Sequence, residues 1–469
     1  MVFSSLVFLY LFLPLCLLCY FLMPSIRAKN VVLLVFSLLF YAWGEPVYIF
    51  LMLAMAGANY GAALLLEKRH ARAILALALG ADLLCLAVFK YSAFLVENFN
   101  ALTGLSVPVP GLALPIGISF YTFQALSYVV DVWRGQVRAQ RSFFRYLLYL
   151  SMFPQLIAGP IVRYADVEAQ LDAREEKPAE MFYGATRFCM GLAKKVLLAD
   201  PAGKVAAQLL GASPASGTTL GMWLGVALYM FEIYFDFSGY SDMAIGMGRI
   251  FGFRFPENFR LPYTAKSITE FWRRWHISLS SFFRDYVYIP LGGNRRHVYR
   301  NLAVVWLLTG LWHGASWNYV LWGAYFLVLL VLERLLKKQL ARIPKPVRLA
   351  ATLFLVALSW DIFYYTDLTR LLESFRVLFG FAGTGFTDAQ TGMTLLNQLP
   401  LLLVCAIGAS PLPQALGNGF GALCAEKNAD GARRKVYAFT VFAFDLLLLA
   451  LATVSLAGST FNAFIYWHF

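Results

Sequence analysis

The sequence predicts an all-α polytopic membrane protein with roughly 10–12 transmembrane helices plus re-entrant or interfacial helices. Two observations carry this prediction: 60% of the 469 residues are hydrophobic, and only 14% are charged. A water-soluble protein of this size could not bury so much apolar surface, because surface area falls too slowly relative to mass. The composition therefore excludes an ordinary cytosolic enzyme, a disordered chain and a fibrous protein.

A series of apolar runs supplies the predicted helices. The first run, residues 3–23, has neither a basic n-region nor a small-residue cleavage site, so it predicts a membrane anchor rather than a cleaved signal peptide. Because a span needs about 20 residues, the shorter runs are expected to be tilted, re-entrant or interfacial. The further runs cover about 30–43, 46–66, 72–95, 111–133, 143–161, 181–199, 218–236, 301–316, 319–333, 349–366, 395–411 and 436–458.

Basic residues occur in alternate loops between these runs. The intervening loops at 44–47 and 96–110 contain Glu but neither Lys nor Arg. Since Lys and Arg collect on the cytoplasmic side, the alternation predicts that both termini lie outside. Segment 367–394 is then external, and its first half is expected to be an amphipathic helix. The formal net charge of +13 indicates cytoplasmic loops facing anionic lipid, and no nucleic-acid partner is expected.

Residues 249–300 interrupt the series, because ten basic residues and several Pro and Gly residues leave no clean span there. The segment is too long for an idle connection in a compact membrane domain, so we expect helices lying near or dipping into the cytoplasmic face. We predict that it binds the phosphates of an acyl donor, although contact with lipid headgroups is as good an interpretation for any single arginine. The candidate donor-binding residues here and nearby are Arg273, Arg274, Arg284, Asp285, Asn294 and Trp312.

His276 is the first of two histidines that directly follow a tryptophan. At about 100° per residue, residues 268–286 form one amphipathic helix, with Thr269 as its expected N-cap and His276 on the apolar face. Arg273, Arg274 and Arg284 share the opposite, polar face. A core histidine satisfied by a backbone carbonyl is the simplest interpretation of His276. An ionisable group inside a membrane is expensive, however, which favours a functional role.

His313 is the second such histidine, and it follows an apolar stretch that begins at Leu302. Gly310, Gly314 and Ala315 leave room there for close packing or a ligand. An imidazole at this depth can act as a general base that deprotonates a hydroxyl for acyl transfer. Hydrogen bonding between helices is an equally good interpretation. If both histidines face one tunnel, their rings should lie within roughly 5–12 Å of each other.

The remaining polar features indicate less. Asp236 and Asp242 interrupt an apolar region together with Ser238, which suggests a discontinuous helix or the lining of a cavity. No histidine or further carboxylate stands near them at ligand spacing, so no metal site is expected. The six cysteines are interpreted as small hydrophobic residues.

Two stretches carry a resemblance to a known family: FWRRWHISLSSFFRDYVYIPLGGNRR at 271–296 and GLWHGASWNYVLWG at 310–323. They resemble the membrane-bound O-acyltransferases, and most closely the alginate O-acetyltransferase branch. Segments at 114–135, 153–164 and 234–248 also resemble that branch. The likeness covers a motif-bearing core over about 1–335, and only the hydropathy agrees over the C-terminal helices at about 349–469. Because no long polar stretch separates a second domain, we expect a single domain over 1–469.

The resemblance also implies a function. It predicts a helical fold around a central tunnel, with His313 as the invariant catalytic histidine and His276 as a second functional one. The expected activity moves acetyl groups from a cytoplasmic donor, acetyl-CoA, across the bacterial inner membrane. The expected acceptor of the acetyl group is an extracytoplasmic polysaccharide or a periplasmic partner acetyltransferase, which works with polysaccharide synthesis and export machinery. No bound cofactor is expected.

Two alternatives from other classes stay open at this point. A multi-pass transporter or flippase would use the intramembrane histidines as proton-relay groups. A scaffold would only anchor a polysaccharide synthase. The paired Trp-His motifs favour the enzyme, and a transporter would more often show two matched halves.

Overall fold

The computed structural model describes residues 1–157, 159–425, 431–458 and 464. Helices dominate it, and none of these described residues lies in a β-strand. The all-α polytopic class is therefore confirmed. The predicted external position of Phe469, the basic Lys427 and the histidine at position 468 fall outside the described residues.

Helices follow one another along most of the described chain, joined by short loops. The helices of the first part are α1 (Leu13–Leu22), α2 (Ile26–Gly44), α3 (Tyr48–Arg69), α4 (Arg72–Thr103), α5 (Ile118–Trp133), α6 (Phe143–Ser151), α7 (Phe153–Leu156), α8 (Tyr164–Asp172), α9 (Pro178–Ala193) and α10 (Asp200–Gly211). The later helices are α11 (Thr219–Ile250), α12 (Ile268–Trp272), α13 (Ile277–Phe283), α14 (Val298–His313), α15 (Trp317–Leu335), α16 (Lys337–Leu340), α17 (Lys345–Tyr364), α18 (Leu368–Leu378), α19 (Ala389–Gly408), α20 (Leu412–Ala425) and α21 (Gly431–Ala457).

Local sequence explains where several of these helices begin and end. The Ser25 hydroxyl accepts a hydrogen bond from the Ala28 N–H at 3.3 Å, which caps the start of α2. Asp388 caps α19 in the same way, accepting from the Thr391 N–H at 2.7 Å. Helix α4 ends at Thr103, and Gly104 directly after it has a φ of 72°, the left-handed conformation that glycine adopts without strain. The predicted amphipathic helix in 367–394 is present as α18.

Eight helices within the described residues are long and apolar enough to cross a membrane, which makes this a multi-pass membrane protein. They are α2, α3, α4, α11, α15, α17, α19 and the Lys435–Ala457 part of α21. The number is below the ten to twelve expected. Helices α5, α9 and α14 each have only 16 residues, which is short of the 20 or so that an upright span needs.

The chain divides into two compact units. Unit 1 includes Met1–Phe188 and Tyr240–Glu257, and unit 2 includes Cys189–Gly239 and most of the chain after Asn258. The core of unit 1 contains a cluster of phenylalanine rings from α2, α7 and the N-terminal segment. Within it, Phe40 lies 5.6 Å from Phe153 between ring centroids. Both candidate histidines belong to unit 2.

In unit 2, helices α14 and α15 pack closely because glycines bring their backbones together. A Cβ atom at Gly310 would lie 2.3 Å from the Tyr319 carbonyl oxygen, and one at Gly323 would lie 2.4 Å from the Trp306 carbonyl oxygen. Real Cβ atoms do not approach backbone this closely, so only glycine fits at these contacts. The close approach fixes the end of α14, where His313 lies.

We expect Gly310→Ala to lower the stability of the folded protein by about 1–3 kcal/mol, because α14 and α15 must move apart to admit the methyl group. Thermal unfolding of the detergent-solubilised protein measures this loss. Gly392→Ala in α19 is the matched control, since a Cβ atom there meets nothing within 4 Å. It should leave stability unchanged or raise it by up to about 1 kcal/mol. Equal melting temperatures for the two variants would contradict the prediction.

Candidate active site

His313 is the last residue of α14, and its side chain lies among aromatic rings. The residue is 2% exposed. Its imidazole centroid is 4.9 Å from the Trp322 ring of α15 and 5.3 Å from the Phe363 ring of α17, both in edge-on geometry. Three helices of unit 2 therefore position this histidine, and water has little access to it in the structure.

His276 lies at the start of α13 and is completely buried. Its Nδ1 atom is 3.2 Å from Oδ1 of Asn258. The Phe237 ring of α11 packs against the imidazole edge-on at 4.7 Å. Burial lowers the pKa of His276 to about 3, so the ring is neutral at physiological pH.

The Trp312 ring lies against the imidazoles of both His276 and His313. Its centroid is 5.8 Å from that of His276 and 5.0 Å from that of His313. The distance between the two imidazole centroids therefore cannot exceed the sum of these two distances. That sum is below the expected upper limit of roughly 12 Å. The juxtaposition is confirmed, while the water-filled tunnel between the rings stays a prediction.

The predicted single helix over 268–286 is wrong. Helix α12 ends at Trp272, α13 begins at Ile277, and His276 between them has a left-handed φ of 44°. The break has a tertiary cause, because the Ile277 N–H donates to the Asn258 carbonyl at 3.0 Å instead of continuing a helix. The N-cap is Ser267 rather than the expected Thr269, and its side chain accepts from the Glu270 N–H.

This break separates the arginines that were expected on one helix face. Arg273 is exposed at the end of α12. The Arg274 guanidinium donates to Glu270 of α12 and to the hydroxyl of Thr264, which precedes that helix. Arg284 comes after α13 and is not on the same helix as the other two. The expectation of a shared polar face is therefore wrong, although each of the three residues stays a donor-binding candidate.

The other donor-binding candidates have different surroundings. Arg284 is exposed and pairs with Asp285 at 2.6 Å. Asn294 is exposed, and its Oδ1 accepts from the Tyr288 hydroxyl at 3.0 Å and from Arg334 at 3.1 Å. Trp312 is 3% exposed, and its ring contacts both histidines. It therefore lies at the two imidazoles and not with the exposed polar candidates.

Asp236 lies in an uninterrupted helix, so the expected discontinuity in this region is wrong. The helix continues because a lysine neutralises the buried carboxylate: Lys195 Nζ lies 2.6 Å from Asp236 and 2.8 Å from Asp200. The side chains of Lys195 and Asp236 are 3% and 2% exposed. Sequence reasoning missed Lys195, although a lysine inside the apolar run 181–199 was the available sign.

Asp242, in the part of α11 that belongs to unit 1, also has a cationic partner. Arg187 of α9 donates to Asp242 at 2.9 Å and pairs with Glu257 as well. Both aspartates of the polar break are thus engaged in ion pairs. Among the described residues, no three His, Cys, Asp or Glu side chains are grouped in a way that could hold a metal ion.

Unit 1 contains a charged cavity of about 510 Å³, which includes neither histidine. Its lining carries charges of both signs, and Glu180 there pairs with Arg249 and Arg254. The guanidinium of Arg174, another lining residue, bonds the Phe251 carbonyl and Asn30. Because this cavity includes neither histidine, we place the candidate active site at the two histidines.

The chain is similar to a described family and to several known proteins. The model of a family described as membrane-bound O-acyltransferase matches residues 3–374, which include both histidines. The chain is 38% identical to the "Probable alginate O-acetylase AlgI" of Azotobacter vinelandii, with 100% of both chains covered. It is 42% identical to the protein of that name in Pseudomonas aeruginosa, over 86% of this chain and 81% of the relative. A "Peptidoglycan O-acetyltransferase" of Helicobacter pylori is 34% identical, over 82% of this chain and 80% of its own length.

Proposed function

The chain belongs to the membrane-bound O-acyltransferase family, and from this premise we propose that it transfers acetyl groups from cytoplasmic acetyl-CoA to an extracytoplasmic polysaccharide or to a periplasmic partner acetyltransferase. Membership makes it a membrane acyltransferase. It therefore favours the enzyme over the transporter and scaffold alternatives. The proposal of acetyl transfer rests on one observation: two buried imidazoles, those of His276 and His313, both pack against the Trp312 ring.

The acceptor that we propose is a polysaccharide hydroxyl. Relatives that match most of the chain are named for O-acetyl transfer to alginate or to peptidoglycan, and both are polymers that carry sugar hydroxyls. A partner enzyme would receive the acetyl group where this chain does not reach the polymer itself. We place the chain in the bacterial inner membrane with both termini outside, on the strength of its alternating basic loops.

The proposed chemistry needs one proton acceptor near the reacting hydroxyl. The hydroxyl oxygen attacks the thioester carbonyl carbon, a carbon–oxygen bond forms and the carbon–sulfur bond breaks. His313 takes the hydroxyl proton and returns it to the departing thiolate, so that the ester and free CoA thiol are the products. General base catalysis of this kind contributes about 10²–10⁴-fold.

Burial supports this role for His313. Side chains that exclude water prevent hydrolysis of the thioester and strengthen electrostatic interactions inside the site. The rings of Trp322, Phe363 and Trp312 surround the imidazole in this way. The close contact of α14 with α15 at Gly310 holds the histidine in place while the acyl group reacts.

Purified protein in lipid nanodiscs tests the proposal directly. Radiolabelled acetyl-CoA is added with alginate oligosaccharides in one reaction and peptidoglycan fragments in another. We expect label to appear in one acceptor and free CoA thiol to appear in equal amount. Reactions without acceptor, and nanodiscs without protein, are the controls. Absence of both acetyl transfer and thiol release, in folded protein with either acceptor, would contradict direct transfer to these polymers. Absence of thiol release when membrane extract that contains the partner enzymes is also added would contradict the proposed function.

The proposed binding of acetyl-CoA is tested separately at Arg284, which is exposed and basic. Arg284→Glu should raise the KM for acetyl-CoA about fivefold, which corresponds to roughly 1 kcal/mol for one basic residue near an anionic group. Arg342→Glu is the matched control, because Arg342 is also exposed on a loop expected to be cytoplasmic. An unchanged KM in the first variant, or an equal rise in both, would argue for general attraction to the lipid surface instead.

A further inference from the structure

Asn258 is buried against His276, and three polar groups lie close to its side-chain oxygen. The residue has no exposed surface. Its Oδ1 accepts a hydrogen bond from the Ser278 N–H at 3.2 Å and from the Ser278 hydroxyl at 2.9 Å, and it lies 3.2 Å from Nδ1 of His276. Neither the family resemblance nor the sequence pattern singled this residue out.

These contacts determine which way the carboxamide faces. A backbone N–H can only donate, so the Asn258 atom that faces the Ser278 N–H must be the oxygen. A ring nitrogen that faces this oxygen must then carry a hydrogen. The Ser278 hydroxyl, 3.5 Å from the same ring nitrogen, donates its hydrogen to Asn258. The neutral imidazole of His276 is therefore the tautomer with hydrogen on Nδ1 and the lone pair on Nε2.

The backbone of His276 supports the same arrangement. Its φ of 44° and ψ of 55° are left-handed, which a residue other than glycine adopts only when its surroundings impose it. Asn258 imposes it from one side, because its carbonyl accepts from the Ile277 N–H at 3.0 Å. From the other side, the His276 carbonyl accepts from the Ser280 N–H at 3.1 Å. Asn258 thus holds both the backbone and the ring of this histidine.

Four uncharged groups lie against the imidazole. Phe237 of α11 is 4.7 Å from the ring, Trp312 of α14 is 5.8 Å away, and Asn258 and Ser278 meet Nδ1. Desolvation is accordingly the cause of the lowered pKa of His276. A neutral ring whose Nδ1–H is bonded to Asn258 presents Nε2 as a hydrogen-bond acceptor.

We propose that Asn258 is a positioning residue that holds His276 as its Nδ1–H tautomer, so that Nε2 accepts a hydrogen bond from the attacking hydroxyl. This role rests on the proposed function. A role for His276 in polarising the thioester does not fit this tautomer, because polarising a carbonyl oxygen requires a donor and Nε2 has no hydrogen in it. His276 orients the hydroxyl, and His313 takes its proton.

The first test reads the tautomer without any need for activity. Protein labelled with ¹⁵N in histidine is reconstituted in lipid, and the His276 signals are assigned by their loss in His276→Gln. We expect a protonated Nδ1 and an unprotonated Nε2 in the unaltered chain, and a loss of this preference in Asn258→Leu. A protonated Nε2 in the unaltered chain would overturn the proposal. Since no acetyl transfer is measured, failure of the proposed function does not affect this result.

The second test compares the pKa of His276 and the rate of acetyl transfer in Asn258→Asp. A carboxylate keeps an acceptor for Nδ1–H and stabilises the imidazolium, which should raise the pKa of His276, read from its ¹⁵N signals as the pH is varied, by about 1–3 units. At a pH above that pKa the variant should recover most of the activity. Asn258→Leu should lose about 10–100-fold in kcat at unchanged KM for acetyl-CoA.

A purely structural role for Asn258 gives a different pattern. In that case the aspartate and leucine variants lose activity alike, and the pKa of His276 in Asn258→Asp stays where it is in the unaltered chain, which overturns the proposal. If Asn258→Leu does not fold, the ¹⁵N signals of the unaltered chain and of Asn258→Asp decide the question without it. An active unaltered chain with no shift of the His276 pKa in Asn258→Asp would reject the role of Asn258 and leave the proposed function standing.

Discussion

Replacing His313 by alanine is expected to reduce acetyl transfer by at least about 100-fold while the protein still folds. The imidazole is the proposed proton acceptor for the hydroxyl, and alanine supplies no replacement. Removal of the ring leaves a space among Trp322, Phe363 and Trp312, so some loss of stability accompanies the loss of activity. Transfer of radiolabel from acetyl-CoA and thermal unfolding, measured on the same preparation, separate the two effects.

His297 provides the control for this substitution. It lies just before α14, is exposed, and has a left-handed φ of 49° that asparagine tolerates. His297→Asn should therefore retain nearly full activity and stability. Near-normal acetyl transfer by His313→Ala would rule out its assignment as the general base. Comparable losses in both variants would point to a general sensitivity of α14 instead.

Replacing Lys195 by methionine is expected to destabilise the protein by about 3–5 kcal/mol, because the carboxylate of Asp236 is then left buried without its cation. The two side chains are almost fully enclosed, and their charged atoms are 2.6 Å apart. Methionine preserves much of the volume of lysine, so the loss reports the charge rather than a cavity. Thermal unfolding in detergent and the yield of monodisperse protein measure the effect.

The double variant Lys195→Met with Asp236→Leu distinguishes charge from packing. It removes both buried charges and should recover much of the stability that the single variant loses, since a buried pair can often be replaced by apolar groups at little cost. Lys337→Met, at an exposed position, should change nothing measurable. If the double variant is no more stable than Lys195→Met, isolation of the Asp236 charge is not the cause.

Hydropathy and local motifs predicted the all-α membrane class and the two histidines. His313 follows an apolar stretch and lies among Gly and Ala residues, and each of these features is visible within a dozen residues of sequence. The short helix α18 was predicted on the same basis, because an amphipathic repeat needs only its own residues to be recognised. Lengths were predicted less well, since α5, α9 and α14 end after 16 residues.

The helix predicted over 268–286 shows where local periodicity stops being informative. Its residues have a continuous amphipathic pattern, yet the backbone breaks at His276. The competing interactions come from Asn258, which is 18 residues earlier in the chain and occupies both the Ile277 N–H and the His276 ring. Helix propensity is a weak preference, and tertiary hydrogen bonds override it.

The apolar runs, the basic loops and the two Trp-His motifs are local properties of the chain, and they were sufficient to indicate a polytopic acyltransferase with His313 and His276 as candidates. The contact of the His276 ring with Asn258, the ion pair that neutralises Asp236 and the packing of both imidazoles against Trp312 were decided by folding. Each of these depends on atoms that distant parts of the sequence bring within a few ångströms. A hydrogen bond or ion pair depends on distance in space, and no pattern within one segment records which distant side chain will meet it.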